Sequence, residues 1–240
     1  MSALRTKMEL PNYYKLTKFK YDPELLRLAL KKFESDFTNV LESNGVLCSA
    51  NHKLAHSVYD HYEQVSLTTF NGPTKPISLA DCERIGETVS SELVADKVKK
   101  YQLKKTNQTG IPELDERNYN KPSEAYLQSY FYQCTQQFKS QVTRVRLVKL
   151  KAGQEVNWHI DYDPTYAVRI IIPVITNDKV INKTNRRGVI EEVHMPADGH
   201  AWFLNPGFSH YVVNNGEEDR VVLMISLNGQ DDLEEIPSAQ

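Results

Sequence analysis

Two residues near the middle of the chain have the types and spacing of metal ligands. His159 and Asp161 lie two positions apart in "NWHIDYDPTYAVRIIIPV", directly before a strongly β-branched run. Side chains at positions i and i+2 of a strand project from the same face, so a strand here would direct both toward one site. Two histidines and one carboxylate, with the opposite positions open, are typical of non-haem Fe(II) oxygenases. The pair therefore indicates part of a metal site that a later histidine would complete.

The later histidine has three candidates, which are His194, His200 and His210. His210 opens the predicted strand "HYVVNN", and Arg220 begins the next strand after the turn "NNGEED". We expect a hairpin that brings Arg220 into the same cavity, deeper than the metal. A guanidinium there would bind a carboxylate through two hydrogen bonds. This neighbour favours His210 over the other two histidines.

Two other residues of the same stretch leave alternatives open. Asp163 could replace Asp161, because both alternate onto one face with His159, but Pro164 indicates that the chain leaves the strand there. We prefer Asp161. Arg169 lies inside the apolar run, where an unpaired guanidinium would be costly. It is therefore predicted either to be paired in the interior or to contact substrate or co-substrate, with a salt bridge at the surface as the alternative.

The elements that must position these residues change character about halfway along the chain. The first half reads as a strand at "KLTKFKYD", a helix capped by Asp22, a weaker helical stretch starting at Ser78, and a helix opened by Pro122 with core-facing aromatics. From about Val142, short strands are separated by Gly, Pro and Asn, as in an antiparallel sandwich or jelly roll. Within them, Arg144 and Arg146 share one strand face and could line the mouth of a cavity, but we expect them to be solvated edge residues.

The predicted fold class is α+β, with a double-stranded β-helix packed against N-terminal helices. We divide the chain into a mixed, mostly helical part that shares the core (1–140), the barrel (141–230) and an acidic C-terminal tail (231–240). Trp158 and Trp202 are predicted to be packing residues.

Composition excludes several classes of function. The 240 residues are 40% apolar and 25% charged, with a net charge of −2, which gives no overall electrostatic case for nucleic acid or an anionic membrane. The local basic run "KVKKYQLKK" is read as a solvated helix face rather than a phosphate-binding patch. Three widely spaced cysteines argue against a disulfide framework. No signal peptide and no apolar stretch of about 20 residues is found, so a cytoplasmic protein without a membrane partner is expected.

The motifs resemble those of a known superfamily. "HID" at 159–161, "SH" at 209–210 and "DR" at 219–220 match the pattern of 2-oxoglutarate- and Fe(II)-dependent dioxygenases, and Val142–Asn228 looks like the aspartyl/asparaginyl β-hydroxylase branch. The resemblance implies Fe(II) on His159, Asp161 and His210, with 2-oxoglutarate and O₂ as co-substrates. It also implies Arg220, and Arg169 as the strand arginine of that branch, as co-substrate-binding residues. The implied reaction hydroxylates a C–H bond and releases succinate and CO₂.

The sequence departs from the branch at two positions. Its peptidyl aspartyl hydroxylases lack the metal carboxylate, which is Asp161 here, and have a histidine where this chain has Ile171. Asp161 makes the chain look more like members that act on free amino acids, so the expected substrate is an amino acid, a peptide or another small molecule. The rival hypotheses are a non-catalytic cupin-like module that binds a metal or a dicarboxylate, and a hydroxylase that acts on protein or nucleic acid.

Overall fold

A computed structural model describes residues 3–39, 62–71 and 115–239. Within these ranges the chain forms thirteen strands, three short α-helices and two 3₁₀ turns. The strands are β1 (Tyr13–Lys20), β2 (Thr38–Asn39), β3 (Tyr62–Ser66), β4 (Thr68–Thr69), β5 (Lys121–Pro122), β6 (Gln141–Leu150), β7 (Glu155–His159), β8 (Val168–Ile175), β9 (Val180–Arg186), β10 (Val189–Val193), β11 (His200–Leu204), β12 (Ser209–Asn214) and β13 (Arg220–Asn228). The helices are α1 (Pro23–Leu30), α2 (Glu124–Leu127) and α3 (Tyr130–Thr135), and the 3₁₀ turns are Lys31–Asp36 and Glu116–Asn118.

Two antiparallel sheets form the body of the structure. The major sheet has the order β1-β11-β8-β13-β6-β3-β2, and the minor sheet has the order β10-β9-β12-β7. Along the chain, β6 to β13 move back and forth between the two sheets, which is the winding of a double-stranded β-helix or jelly roll. The predicted fold class is therefore confirmed.

The two faces of the major sheet have different environments. Leu223 and Ile225 of β13 lie in the large hydrophobic core together with Leu26 of α1. Val222, which alternates with them, belongs instead to a smaller cluster that also contains Ile171 of β8. Alternate side chains of a strand project to opposite faces, so one face of the sheet packs on the helices and the other faces the barrel interior.

The N-terminal residues share the large core with the barrel. Leu16 of β1 and Phe33 of the first 3₁₀ turn lie in the same cluster as the barrel residues, and so do Leu233 and Ile236 near the C-terminus. The described parts of 1–140 supply strands to the major sheet as well as helices. The proposed division at residues 140 and 230 stays a prediction.

The first predicted helix is confirmed and is shorter than expected. The Asp22 carboxylate accepts hydrogen bonds from the backbone N–H groups of Glu24 and Leu25, and Pro23 occupies the first position, as the sequence indicated. The α-helix ends at Leu30 and tightens into the 3₁₀ turn before strand β2.

The helix predicted to open at Pro122 is wrong in its detail. Pro122 pairs with Thr68 in a two-stranded sheet, and Ser123 and Ser129 each cap a separate short helix. A serine hydroxyl that accepts from a backbone N–H three residues on favours a helix start, so Ser129 interrupts the apolar pattern. Tyr126 and Phe131 are buried, as predicted.

Some sequence predictions lie outside the described residues. These are the weaker helical stretch that starts at Ser78 and the basic run "KVKKYQLKK". In the parts of the chain that the structure describes, no helix has the length and apolar character needed to span a bilayer.

Candidate metal centre

One cluster of potential metal ligands is present in the described part of the chain. A nitrogen of His159, a nitrogen of His210 and a carboxylate oxygen of Asp161 all lie within 4.8 Å of one another. Strands β7 and β12 pair so that the two histidines are direct partners, and their ring centroids are 4.2 Å apart. Antiparallel pairing thus brings together two histidines that are 51 positions apart in sequence.

Backbone hydrogen bonds set the tautomer of both histidines. Nδ1 of His159 is 2.7 Å from the carbonyl oxygen of Asn157, and Nδ1 of His210 is 3.0 Å from the carbonyl oxygen of Phe208. A carbonyl oxygen only accepts, so each Nδ1 carries the proton and each Nε2 presents its lone pair. Each Nε2 is 3.8 Å from an oxygen of Asp161. This is the orientation in which histidines bind metal ions.

The donor set fits a divalent metal ion. Nitrogen and oxygen ligands lie about 2.0–2.2 Å from such an ion, which separates neighbouring ligand atoms by roughly 3 Å. The two 3.8 Å distances involve different oxygens of Asp161, and the three ligand atoms are separated by up to 4.8 Å, so closing around an ion requires shifts of up to about 2 Å. The side chains of His159 and Asp161 are 34% and 28% exposed, so small ligands can reach one side of the site.

The three side chains converge in a way that differs from the strand model. Strand β7 ends at His159, so Asp161 is not on the strand, and its backbone N–H donates to the carbonyl oxygen of Pro206 at 3.1 Å. The prediction that His159 and Asp161 alternate on one strand is wrong, although both still reach the same place. The Asp163 carboxylate accepts hydrogen bonds from the backbone and hydroxyl of Thr165, which holds a turn, and it is not part of the cluster.

Arg169 is paired in the interior and contacts the carboxylate of the cluster. Its Nη2 lies 3.2 Å from Oδ2 of Asp161 and 3.8 Å from Oε2 of Glu116. The same guanidinium donates to the hydroxyl of Tyr162 at 2.6 and 3.0 Å. Of the alternatives left open by the sequence, the structure shows Arg169 paired with carboxylates in the interior. A contact of Arg169 with 2-oxoglutarate stays a prediction.

These charges determine the ionisation of the carboxylates. Burial by itself would raise the pKa of Asp161, but Arg169 and the two histidines hold that pKa well below its usual range. Burial likewise opposes ionisation of Glu116, and Arg169 and Arg144 lower its pKa. Asp161 is therefore a charged ligand throughout the physiological pH range.

The His210 imidazole stays uncharged at pH values well below 7. Burial, followed by repulsion from His159, lowers the pKa of His210 from 6.5 to about 4. A neutral imidazole is the form that binds a metal ion.

We expect the metal-free protein to lose stability as the pH falls from 6.5 toward 4. In this window the unfolded state binds a proton at His210 and the folded state does not, so the free energy of unfolding falls by up to roughly 3 kcal/mol. Urea denaturation at pH 7, 5.5 and 4.5 measures the slope, and His210→Asn should flatten it. The lowered pKa values of Asp161 and Glu116 act mainly below their unfolded values of 3.8 and 4.5, and that contribution at the acid end of the window is common to the wild type and His210→Asn. An equal slope in both proteins would assign the acid sensitivity to another group.

Arg220 lies on the sheet that faces His210. Strand β12 pairs with β7 and β9, whereas β13 pairs with β6 and β8. The predicted hairpin between these strands is therefore wrong, because residues 215–219 cross from the minor sheet to the major sheet. Arg220 is 4% exposed and lies two positions before Val222 of the interior cluster, so both side chains are on the inward face of β13. Arg220 thus reaches the inward face by a different route, and a cavity shared with the metal cluster stays a prediction.

Arg144 and Arg146 are not solvated edge residues. Strand β6 lies between β13 and β3 in the major sheet. Arg146 is 8% exposed, and Arg144, at a bulge with φ of 35°, pairs with Glu116 at 2.8 Å. The sequence analysis missed Glu116 and also Tyr162, which is adjacent to Asp161. That adjacency was the one available signal, since nothing in the sequence connects Glu116 to the site.

The remaining candidate residues lie elsewhere. Nδ1 of His194 is 3.0 Å from the carbonyl oxygen of Val180, and Nδ1 of His200 is 3.0 Å from the Asp198 carboxylate. Neither belongs to the cluster. Trp202 packs partly buried against the interior cluster, as predicted.

The other tryptophan packs at the surface. Trp158 is 42% exposed and stacks on Tyr211 at 5.3 Å, instead of packing in the core.

Comparison with known proteins identifies the family. The sequence model for aspartyl/asparaginyl beta-hydroxylase matches residues 85–229, which is more than half of the chain. The chain belongs to the aspartyl/asparaginyl beta-hydroxylase family. The match includes all three residues of the cluster as well as Arg169 and Arg220. No curated protein matches this chain.

Solved structures similar to this member of the beta-hydroxylase family include oxygenases and cupins. A Pseudomonas putida prolyl-4-hydroxylase is 11% identical, with 90% of this chain and 91% of that chain covered and a TM-score of 0.44. An oxidoreductase of the 2OG-Fe(II) oxygenase family from Burkholderia pseudomallei is 12% identical, with 70% and 67% covered and a TM-score of 0.37. A cupin domain from Bordetella pertussis is 16% identical, with 39% and 88% covered and a TM-score of 0.29.

Proposed function

We propose that this chain is an Fe(II)- and 2-oxoglutarate-dependent dioxygenase that hydroxylates a C–H bond of an amino acid, a peptide or another small molecule. The observation that carries the proposal is the convergence of His159 Nε2, His210 Nε2 and the Asp161 carboxylate in the barrel of a beta-hydroxylase family member. Two imidazoles and one carboxylate suit Fe(II) and leave the opposite coordination positions open for co-substrates.

The residues of the chain have separable parts in this function. The backbone carbonyls of Asn157 and Phe208 hold the imidazoles with Nε2 toward the metal position. Arg169 keeps Asp161 ionised, so that the carboxylate balances part of the charge of the metal. Bound Fe(II) would supply the activation of O₂, with 2-oxoglutarate oxidised to succinate and CO₂ and one oxygen atom transferred to the substrate.

We assign the 5-carboxylate of 2-oxoglutarate to Arg220. A buried guanidinium on the inward face of the sheet offers a bidentate, charge-assisted contact that a dicarboxylate requires at its far end. Val222, two positions further along the same face of β13, is an apolar neighbour that limits the entry of water. The cytoplasmic location and the small-molecule or peptide partner remain part of this proposal.

Two measurements on the purified protein test the proposed function. Anaerobic addition of Fe(II) and 2-oxoglutarate is expected to give a weak visible charge-transfer band, and admission of O₂ is expected to give succinate in an iron-dependent manner. The control is the same protein with Zn(II) in place of Fe(II), which should give neither signal. Tight Zn(II) binding with no band and no succinate in the Fe(II) sample would favour the non-catalytic cupin-like module instead.

A further inference from the structure

One row of side chains crosses the inward face of the major sheet beside the metal cluster. Ser66, Arg146, Met224, Ile171 and Trp202 are successive partners on the neighbouring strands β3, β6, β13, β8 and β11. Ile171, Met224 and Trp202 belong to the interior cluster or pack against it, so this row lies on the barrel-facing side of the major sheet. Arg146 and Ile171 lie on opposite sides of Met224.

Two guanidinium groups converge on one weak acceptor in this row. Nη2 of Arg146 lies 3.1 Å from Sδ of Met224, and Nη1 of Arg169 lies 2.8 Å from the same sulfur. A thioether accepts hydrogen bonds poorly, whereas a guanidinium forms its strongest hydrogen bonds with ionised oxygens. An oxygen anion at this position would be a better partner than the sulfur.

The polar groups around Arg146 also favour an acceptor. Oε1 of Gln64 is 3.4 Å from Nη1 of Arg146 and helps to orient it. The Gln64 side chain is buried, and its Nε2 has no hydrogen-bond partner among the residues that the structure describes. An unmet buried donor is costly, so a ligand that supplies an acceptor oxygen beside Arg146 is preferred here.

We propose that Arg146, oriented by Gln64, forms a second carboxylate-binding position in the barrel and anchors an anionic group of the prime substrate. This inference rests on the proposed function, in which Arg220 holds the co-substrate. Arg220 and Met224 are four positions apart on β13, about 13 Å along the strand, so the two cationic positions are separate. The substrate class is then a small molecule or peptide that bears a free carboxylate.

The test uses protein loaded with redox-inert Zn(II) and saturated with the 2-oxoglutarate analogue N-oxalylglycine. Calorimetric titration with succinate measures binding at the second position, and succinamide is the neutral probe of the same shape. The wild-type protein is expected to bind succinate and not succinamide. Arg146→Gln should weaken succinate binding roughly 10- to 100-fold, and Arg146→Lys should weaken it less because the charge remains.

Two further variants complete the design. Gln64→Leu removes the amide but keeps Arg146, and it should weaken succinate binding several-fold; it serves as the readout if Arg146→Gln does not fold by circular dichroism. Lys183→Gln removes one positive charge outside the cavity, where Lys183 pairs with Glu192, and it should bind succinate as the wild type does.

Failure of this inference is distinguishable from failure of the proposed function. Equal succinate affinity in the wild type and Arg146→Gln, equal binding of succinamide, displacement of N-oxalylglycine by succinate, or no succinate binding by the wild type would each overturn the second position. In all these cases, the protein without succinate still binds Zn(II) and N-oxalylglycine. Loss of Zn(II) or N-oxalylglycine binding by the wild type would instead overturn the proposed function, and this inference with it.

Discussion

Replacing His210 with alanine is expected to lower the Fe(II) affinity at least about 100-fold and to abolish succinate formation. Removing a residue that hydrogen-bonds to a metal ligand commonly lowers the metal affinity about 10- to 100-fold. Removing the ligand itself is therefore expected to lower the affinity further. His210 is a direct strand partner of His159, and no other histidine of the described chain lies in the cluster to replace it. Calorimetric titration with Fe(II) under anaerobic conditions measures the affinity, and succinate is quantified in parallel.

His194→Ala is the matched control for this variant. His194 also has its Nδ1 next to a backbone carbonyl, that of Val180, but it lies outside the cluster. Its replacement should leave both Fe(II) affinity and succinate formation within about twofold of the wild type. If His210→Ala binds Fe(II) as tightly as the wild type, or if His194→Ala loses as much affinity, the assignment of His210 as a ligand is wrong.

The chemistry of this site was more predictable from the sequence than its geometry. Residue type and local spacing selected His159 and Asp161, whereas His210 was preferred because of Arg220 and the resemblance to the dioxygenase pattern; the structure brings all three together. The alternation of β-branched residues likewise predicted strands on both sides of the site. The structural reason for the convergence was not available, because strand β7 ends at His159 and a turn places Asp161.

Long-range strand pairing explains the larger errors. "NNGEED" has the composition of a hairpin turn, yet β12 and β13 pair with other strands and lie in opposite sheets. Arg146 lies in a strand that alternates like an edge strand, and its burial depends on β3, which is about 80 positions earlier in the sequence and covers that side of β6. Glu116 reaches Arg144 and Arg169 from a short 3₁₀ turn. Local patterns report which face of a strand is apolar, but they do not report which strand becomes its neighbour.

The second large effect is expected for Arg220→Gln, which should weaken 2-oxoglutarate binding by about 100-fold or more while Fe(II) affinity stays within about twofold. Truncating one partner of a buried, hydrogen-bonded charge pair commonly costs about 2–5 kcal/mol, and each 1.4 kcal/mol is about tenfold in affinity. Arg220 is 4% exposed on the inward face of β13, so water would not replace the lost contact. Titration of the Zn(II)-loaded protein with 2-oxoglutarate measures the dissociation constant.

Two variants separate the role of Arg220 from a general loss of charge. Arg220→Lys keeps the charge but not the two-pronged geometry, so it should recover only part of the affinity. Arg187→Gln removes an exposed guanidinium at the turn between β9 and β10 and should bind 2-oxoglutarate normally. If Arg220→Gln binds 2-oxoglutarate as the wild type does while Arg169→Gln does not, the carboxylate contact belongs to Arg169. In that case the guanidinium that keeps Asp161 ionised would also hold the co-substrate, and metal binding and co-substrate binding would fail together.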